Sequence, residues 1–189
     1  MRAGGYIAIV VLVIIVISGI AWYINGLNRV VRLHESVSAA WAQVETQLQR
    51  RYDLIPNLVN TVKGYAGHEE ELFSEITRLR SQWAGAGTTE AKIENAQAME
   101  GALGRLMVVV ENYPDLKASE NFRTLQAQIE GTENRVAVER KRYNDAVRAF
   151  NTYQREVMGG FFAERKGLTR PEPYFEAAPQ AEGAPEVEF

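Results

Sequence analysis

An uncharged, strongly apolar stretch near the N-terminus constrains this chain more than any other feature. No residue from Ala3 to Asn28 carries a charge, and Tyr6 to Ile24 is almost wholly apolar. As an α-helix with a rise of about 1.5 Å per residue, the apolar stretch reaches roughly 28 Å, which is close to the hydrocarbon thickness of a bilayer. Trp22 and Tyr23 lie where an interfacial aromatic pair is expected. The sequence therefore predicts one transmembrane helix.

A cleaved signal peptide is the alternative interpretation of this stretch, because Gly19-Ile20-Ala21 resembles a weak cleavage site. The long apolar run and the single basic residue before it, Arg2, favour an anchor. The sidedness is poorly encoded, since Arg2 and the terminal amine are balanced by Arg29 and Arg32 on the other flank. A short N-terminal tail is easily translocated, which slightly favours a cytoplasmic position for the rest of the chain.

Four amphipathic helices are predicted after the span, at about residues 28–64, 68–85, 89–113 and 119–155. Apolar residues recur there at spacings of three and four, and no stretch shows the period-two alternation of a strand. Pro56 is expected to bend the first helix without ending it, and Thr88 or Thr89 and Ser119 are predicted N-caps. Short connections between long helices indicate antiparallel neighbours. The predicted fold is all-α: an N-terminal transmembrane helix continuous with an elongated antiparallel up-and-down four-helix bundle.

The predicted organisation has three parts: a tail and span (1–27), the bundle (28–156), and a Gly/Phe segment with an acidic, proline-rich tail (157–189). The stretch Pro171–Phe189 has five glutamates and no basic residue, and we expect it to be extended or disordered, with Tyr174 and Phe175 as candidates to dock onto the bundle. The first predicted helix leaves the membrane and the last one returns towards it. Basic residues of these helices and the phenylalanines that follow the last helix therefore form a candidate membrane-contact site. Its members are Arg29, Arg32, Lys141, Arg142, Arg148, Arg155, Phe161 and Phe162. The alternative is an ordinary solvated helix face.

Residue types that carry chemistry are scarce. The chain lacks cysteine, and its two histidines, His34 and His68, lie on different predicted helices. His68-Glu69 begins like a zinc-protease motif, but Leu72 occupies the position of the second histidine. We therefore predict no catalytic, cofactor-binding or metal-binding residue and no enzyme activity. The net charge of −3 also argues against a nucleic-acid partner.

Several ordered motifs are similar to the signature of the LemA family, over about residues 25–155. They are QRRYDLIPNLV (49–59), VKGYA (62–66), ENYPDLKA (111–118), ENF (120–122), GTENRVA (131–137) and RYNDAV (142–147), with a weaker match at PYFE (173–176). The resemblance implies a single-pass protein of the bacterial inner membrane with a helical bundle and no established catalytic activity. Relatives are implicated in organising or remodelling membranes, as in magnetosome formation.

The shared polar residues of these motifs allow two interpretations. They are Arg50, Arg51, Asp53, Asn57, Asn134, Arg135 and Asn144. They could form a buried network that fixes the register of the helices, which we favour, or a surface for a partner. The expected function is a non-enzymatic protein that organises or remodels membrane through self-association and lipid contact, as a homo-oligomer in the bilayer. An adaptor that docks another membrane protein is the alternative, and a hydrolase is the least favoured.

Overall fold

The computed structural model describes residues 2–176, with side chains from residue 6 onward. That part of the chain forms six helices and no strand. They are α1 (Arg2–Lys63), α2 (Glu70–Gly85), α3 (Thr89–Glu111), α4 (Pro114–Ala118), α5 (Glu120–Arg155) and α6 (Val157–Arg165). The predicted all-α fold is confirmed. The end of the acidic tail, residues 177–189, lies outside the described residues.

Helix α1 is one continuous element from the apolar span into the amphipathic part of the chain. Pro56 lies inside it, and the helix continues beyond the proline for two further turns, to Lys63. Gly64 then begins the connection to α2, in which the backbone N–H of Ala66 donates to the carbonyl of Val62 at 2.9 Å. The predicted continuity between the span and the following helix is therefore confirmed.

The other helix ends lie where the sequence predicts them in most places. The Thr88 hydroxyl accepts a hydrogen bond from the backbone N–H of Ala91 at 3.2 Å, so Thr88 is the N-cap of α3. Two short helices were not expected. Pro114 was predicted to make a turn, but it begins α4, because proline is well suited to the first position of a helix. Helix α6 forms where the sequence analysis placed only a Gly/Phe segment.

The described chain divides into two compact units, and both α1 and α5 contribute to each. The first unit contains residues up to Ala40 together with Asn144–Glu172, and the second contains Trp41–Tyr143 with the chain from Pro173 onward. Side chains buried in the first unit come from α1, α5 and α6. They include Val30, Val37, Val147, Phe150, Tyr153 and Phe162.

The second unit has a core built from four long helical segments. Its largest fully buried side chains are Tyr52, Ile55 and Leu58 of α1, Phe73 and Ile76 of α2, Met99 and Leu106 of α3, Leu116 of α4, and Phe122 and Tyr143 of α5. Two ion pairs join the helices at the rim, Lys92 with Glu45 and Arg105 with Glu75 at 2.7 Å, and the buried Arg51 approaches Glu133 at 3.4 Å. Apolar burial on one face of each helix is the main stabilising term, since exposed ion pairs contribute little.

Candidate functional site

The apolar side chains of α1 between Tyr6 and Ile24 are exposed on every side of the helix. No residue of the most apolar 18-residue window is buried within the protein. A helix that is apolar all round is stable only when lipid or another protein covers it. This part of α1 is therefore a candidate membrane span, and it is the one candidate within the described residues.

Helix α6 packs against the C-terminal end of this span through Phe162. The Phe162 side chain is 2% exposed and makes edge-to-face contacts with Trp22 and Tyr23, with ring centroids 5.2 and 5.9 Å apart. Gly26 makes room for this ring, because a Cβ atom there would lie 2.2 Å from Phe162 Cε2. The two aromatic residues at the end of the span thus hold α6 in place.

A sharp corner between α5 and α6 brings Phe162 to this position. Glu156 has an extended backbone between the helices, and Gly159 follows in the first turn of α6. A Cβ atom at Gly159 would lie 1.8 Å from the carbonyl oxygen of Tyr153, so only glycine permits this approach. The adjacent glycines Gly159 and Gly160 therefore allow α6 to pack closely against the end of α5.

The outer face of α6 is apolar and exposed. Val157 is 86% exposed, Met158 is 55% exposed and Phe161 is 40% exposed, and the three positions fall within about 100° of one another around the helix. The Arg165 guanidinium lies 5.3 Å from the centre of the Phe161 ring. Phe162 on the same helix contacts Trp22 and Tyr23, so α6 carries this exposed apolar face near the aromatic end of the span. We call Val157, Met158 and Phe161 the α6 apolar face.

The structure divides the predicted membrane-contact residues between the two units. The first unit holds Arg29, Arg32, Arg148, Arg155, Phe161 and Phe162, whereas Lys141 and Arg142 belong to the second. Arg29 packs its guanidinium 4.7 Å from the ring centre of Tyr153. Arg148 pairs with Asp145 at 3.4 Å and Arg142 pairs with Glu139 at 2.8 Å, and both ion pairs lie within α5. Phe162 is an internal packing residue, and its neighbour Phe161 faces outward.

The sequence analysis missed Asn151, which fastens the chain after α6 to α5. Its side-chain amide donates to the carbonyl of Glu172 and its side-chain oxygen accepts from the Glu172 N–H, both at 2.9 Å. Gln154 donates to the carbonyls of Leu168 and Arg170. Asn151 is four residues after Val147, on the apolar stripe of α5, so a polar residue on that stripe was the available signal.

Among the seven shared polar residues, Arg51 alone is buried; its side chain approaches Glu133 at 3.4 Å and the residue is 6% exposed. Asp53 is exposed and accepts a hydrogen bond from Gln49 at 2.8 Å. Asn144 is half-buried and belongs to the first unit. The other four are exposed: Arg50, Asn57, Asn134 and Arg135. The structure does not gather these seven residues into one buried cluster.

Two depressions between α1 and α5 of the second unit meet at Thr124 and form a polar groove. The first, of about 520 Å³, is lined mainly by side-chain amides and hydroxyls: Asn57, Asn60, Thr61 and Asn121, with Glu120 at its end. The second, of about 540 Å³, is lined by Arg50, Gln128, Gly131, Thr132 and Arg135. Within the described residues, neither arginine forms an ion pair. The polar groove therefore has a positively charged end without a counter-ion.

Tyr52 follows the polar groove residue Arg50 by two positions in sequence but points into the core. Its ring packs on Trp83 with centroids 4.5 Å apart, and its hydroxyl has no hydrogen-bond partner among the described residues. Burial raises the pKa of the Tyr52 hydroxyl above its ordinary value, while the nearby Arg51 charge acts in the opposite direction. Tyr52 therefore stays neutral at physiological pH, and its place in the core is structural.

Metal-binding geometry is absent from the described part of the chain, where no group of three or more His, Asp or Glu residues could hold an ion. His34 packs against Phe150, with ring centroids 5.4 Å apart. His68 lies before α2 in the connection from α1.

Comparison with known proteins agrees with the motifs. Magnetosome protein MamQ 2 of Paramagnetospirillum magneticum is 27% identical over 90% of this chain and 72% of its own length. Protein LemA of Metamycoplasma hominis is 25% identical over 69% of this chain and 60% of its own length. The family model of the LemA family matches residues 40–189, which is most of the chain. With its helical segments, its candidate span and this match, the chain belongs to the LemA family.

Proposed function

We propose that this protein is a non-enzymatic, single-pass protein of the bacterial inner membrane that organises or remodels the bilayer. Two features support this function: the apolar span of α1, and the α6 apolar face, which in this proposal inserts at the interface beside the span. The observation that carries the proposal is the packing of Phe162 on Trp22 and Tyr23, which fixes the α6 apolar face at the aromatic end of the span.

The physical case rests on the exposed apolar side chains of α6. Val157, Met158 and Phe161 offer apolar surface to the boundary between headgroups and acyl chains, and each buried CH₂ group contributes about 0.8 kcal/mol. Arg155, the last residue of α5, and Arg165, the last residue of α6, flank this face, and contact with anionic headgroups would contribute about 1 kcal/mol per basic residue. A rigid interfacial helix beside a span displaces lipid on one side of the membrane only.

The proposal includes self-association of the protein in the membrane. One small interfacial helix perturbs the bilayer little, whereas many copies in one plane perturb it together. Relatives that are named magnetosome proteins support a setting in bacterial cells. In this proposal the second unit lies on the cytoplasmic side.

Reconstitution of the full chain into anionic liposomes tests the function. We compare the protein with a Val157→Glu, Phe161→Glu variant, and measure vesicle diameter and shape by cryo-electron microscopy and oligomeric state by cross-linking. A Val108→Glu, Val138→Glu variant is the matched control, because both valines are exposed and lie in the second unit on α3 and α5. We expect the protein and the control to deform vesicles and the α6 variant to lose this effect.

Vesicles that keep their shape with the unaltered protein would contradict membrane remodelling. A protein that stays monomeric at high density in the membrane would contradict self-association. If the α6 variant and the control behave alike, lipid contact through the α6 apolar face is refuted even if the membrane is deformed.

A further inference from the structure

We propose that a cleft between α3 and α5 binds a small zwitterionic molecule, an α-amino acid with an apolar side chain. The cleft has a volume of about 310 Å³ and lies within the second unit. That volume is at the lower end of the range of small-molecule sites, about 300–1,000 Å³, and suits a ligand of few heavy atoms. The proposal concerns the second unit alone and does not depend on lipid contact by α6.

The guanidinium group of Arg51, which reaches the cleft from α1, gives the first support. Arg51 is 6% exposed, and its one ion-pair partner in the described part of the chain is Glu133, at 3.4 Å. The Nε–H group of Arg51 has no hydrogen-bond partner among the described residues. A guanidinium carries five N–H donors, and buried donors without acceptors are costly. Arg51 therefore favours an occupant with a carboxylate, which can accept two parallel hydrogen bonds from arginine.

Three glutamates of the cleft provide the opposite charge. Glu100 lies on α3, and Glu130 and Glu133 lie one turn apart on α5. In the part of the chain that the structure describes, neither Glu100 nor Glu130 forms an ion pair. The side chain of Glu133 is 52% exposed, so it is free to turn from Arg51 towards a ligand. These carboxylates favour an occupant with an ammonium group.

The charges of the cleft together select a zwitterion. Its lining residues carry three carboxylates and one guanidinium. A ligand with a carboxylate alone is repelled by the glutamates, and a ligand with an ammonium alone leaves the Arg51 donors without an acceptor. An α-amino acid carries both groups on neighbouring atoms, and each group has its own partners in this cleft.

The remaining surface of the cleft is apolar and sets the side chain of the ligand. Leu103 and Met107 of α3 and Ile129 of α5 line it, and Leu103 and Ile129 are almost fully buried. Gly104 leaves the α3 side open, because a Cβ atom there would meet nothing within 4 Å. A branched hydrocarbon side chain can therefore pack on these residues while the charged groups of the ligand contact Arg51 and the glutamates.

Binding of tritiated L-leucine to the full chain in phosphatidylglycerol nanodiscs tests the site. Two competitors keep the branched hydrocarbon of leucine: isocaproate lacks the ammonium, and isoamylamine lacks the carboxylate. We expect saturable leucine binding with a Kd of about 1 mM or lower. Each competitor should bind at least about tenfold more weakly than leucine, because it leaves one set of charged residues without a partner.

A lipid headgroup is a second source of a zwitterion, and a further competitor separates it from an amino acid. Glycerophosphoethanolamine carries an ammonium and a phosphate but no apolar side chain. It should bind at least about tenfold more weakly than leucine, because it buries no hydrocarbon against Leu103, Met107 and Ile129.

Variants of the charged residues test their roles. Arg51→Met should weaken leucine binding at least about tenfold. The double variant Glu100→Gln, Glu130→Gln should weaken leucine binding and strengthen isocaproate binding, since it removes the repulsion of the carboxylate. Loss of fold cannot produce that opposite pair of effects, and neither glutamate is buried, so this variant keeps the test valid even if Arg51→Met unfolds.

A matched pair of glycine variants locates the ligand. Gly104→Leu should fill the cleft and abolish leucine binding. Gly131→Leu is the control and should leave it unchanged, because Gly131 lines a different depression and a Cβ atom at either glycine meets nothing within 4 Å.

The proposal is overturned if leucine shows no saturable binding below about 10 mM. It is also overturned if isocaproate or isoamylamine binds as tightly as leucine, or if Gly104→Leu leaves leucine binding unchanged. Tighter binding of glycerophosphoethanolamine than of leucine would make a lipid headgroup the ligand and refute the amino acid. None of these outcomes bears on vesicle deformation by α6, so the two proposals fail separately.

Discussion

Replacing Phe162 by alanine should release α6 from the end of the span. The ring is almost wholly buried and makes two edge-to-face contacts, with Trp22 and Tyr23. Truncating a buried phenylalanine to alanine costs about 3–5 kcal/mol, of which the aromatic pairs account for roughly 0.5–1.5 kcal/mol each. Each 1.4 kcal/mol or so changes an equilibrium constant about tenfold. A loss of about 3 kcal/mol therefore lowers the ratio of docked to undocked α6, a nine-residue helix, by more than a hundredfold.

Hydrogen–deuterium exchange of the α6 amides in nanodiscs measures this release. Protection of residues 157–165 should fall by about a hundredfold in Phe162→Ala, and protection of α3 in the second unit should stay the same. Phe161→Ala is the matched control, because Phe161 is adjacent, of the same type and partly exposed. Its main contacts are with Phe162 and Arg165, so its loss should cost about tenfold or less. Equal losses in the two variants would refute the packing argument.

Three further predictions concern single residues. Tyr52→Phe should leave stability at neutral pH unchanged or slightly raised, because it removes a buried hydroxyl without a partner. Since burial raises the folded-state pKa of Tyr52, its neutral form is favoured in the fold; its contribution is complete below the unfolded pKa and is lost as the pH rises above about 10. Between pH 9 and pH 11 the protein should lose roughly 1.4 kcal/mol more than Tyr52→Phe in denaturant titrations, and equal losses would contradict this. Gly159→Ala should destabilise the α5–α6 corner by about 1–3 kcal/mol, whereas Gly131→Ala should be neutral or stabilising by up to about 1 kcal/mol; comparable denaturation midpoints for the two would contradict the corner geometry. Asn151→Ala should cost about 1–3 kcal/mol and increase proteolysis between Leu168 and Glu172, and an unchanged cleavage rate would show that the paired hydrogen bonds do not hold this segment.

The sequence predicted most of the helical framework because the signals there are local. The apolar stripe of α1 keeps its phase through Pro56, and the Thr88 hydroxyl is placed to cap α3. Helix α6 was harder to predict, since a short segment with two glycines has low intrinsic helix propensity. It forms because Phe162 finds partners on α1 about 140 residues earlier in the chain, and no local pattern contains that contact.

The candidate surfaces could be predicted only in part for a related reason. Arg50 and Arg51 are neighbours in sequence, but successive residues differ by about 100° around a helix, so one faces the polar groove and the other the core. The sequence motifs predicted that the shared polar residues act as one set, either as a buried network or as a partner surface. Their separation into buried and exposed sets depends on which faces of α1 and α5 meet, and that arrangement arises from tertiary packing.

The depth of α6 in the bilayer is the most direct test of the central claim. We place a nitroxide on Val157→Cys in the full chain in nanodiscs and compare its collisions with oxygen and with a water-soluble nickel chelate. Glu35→Cys is the reference, an exposed position on α1 of the same unit. Interfacial insertion predicts that the Val157 label collides more with oxygen and less with nickel than the Glu35 label does. Equal accessibility of both labels to the nickel chelate would contradict it.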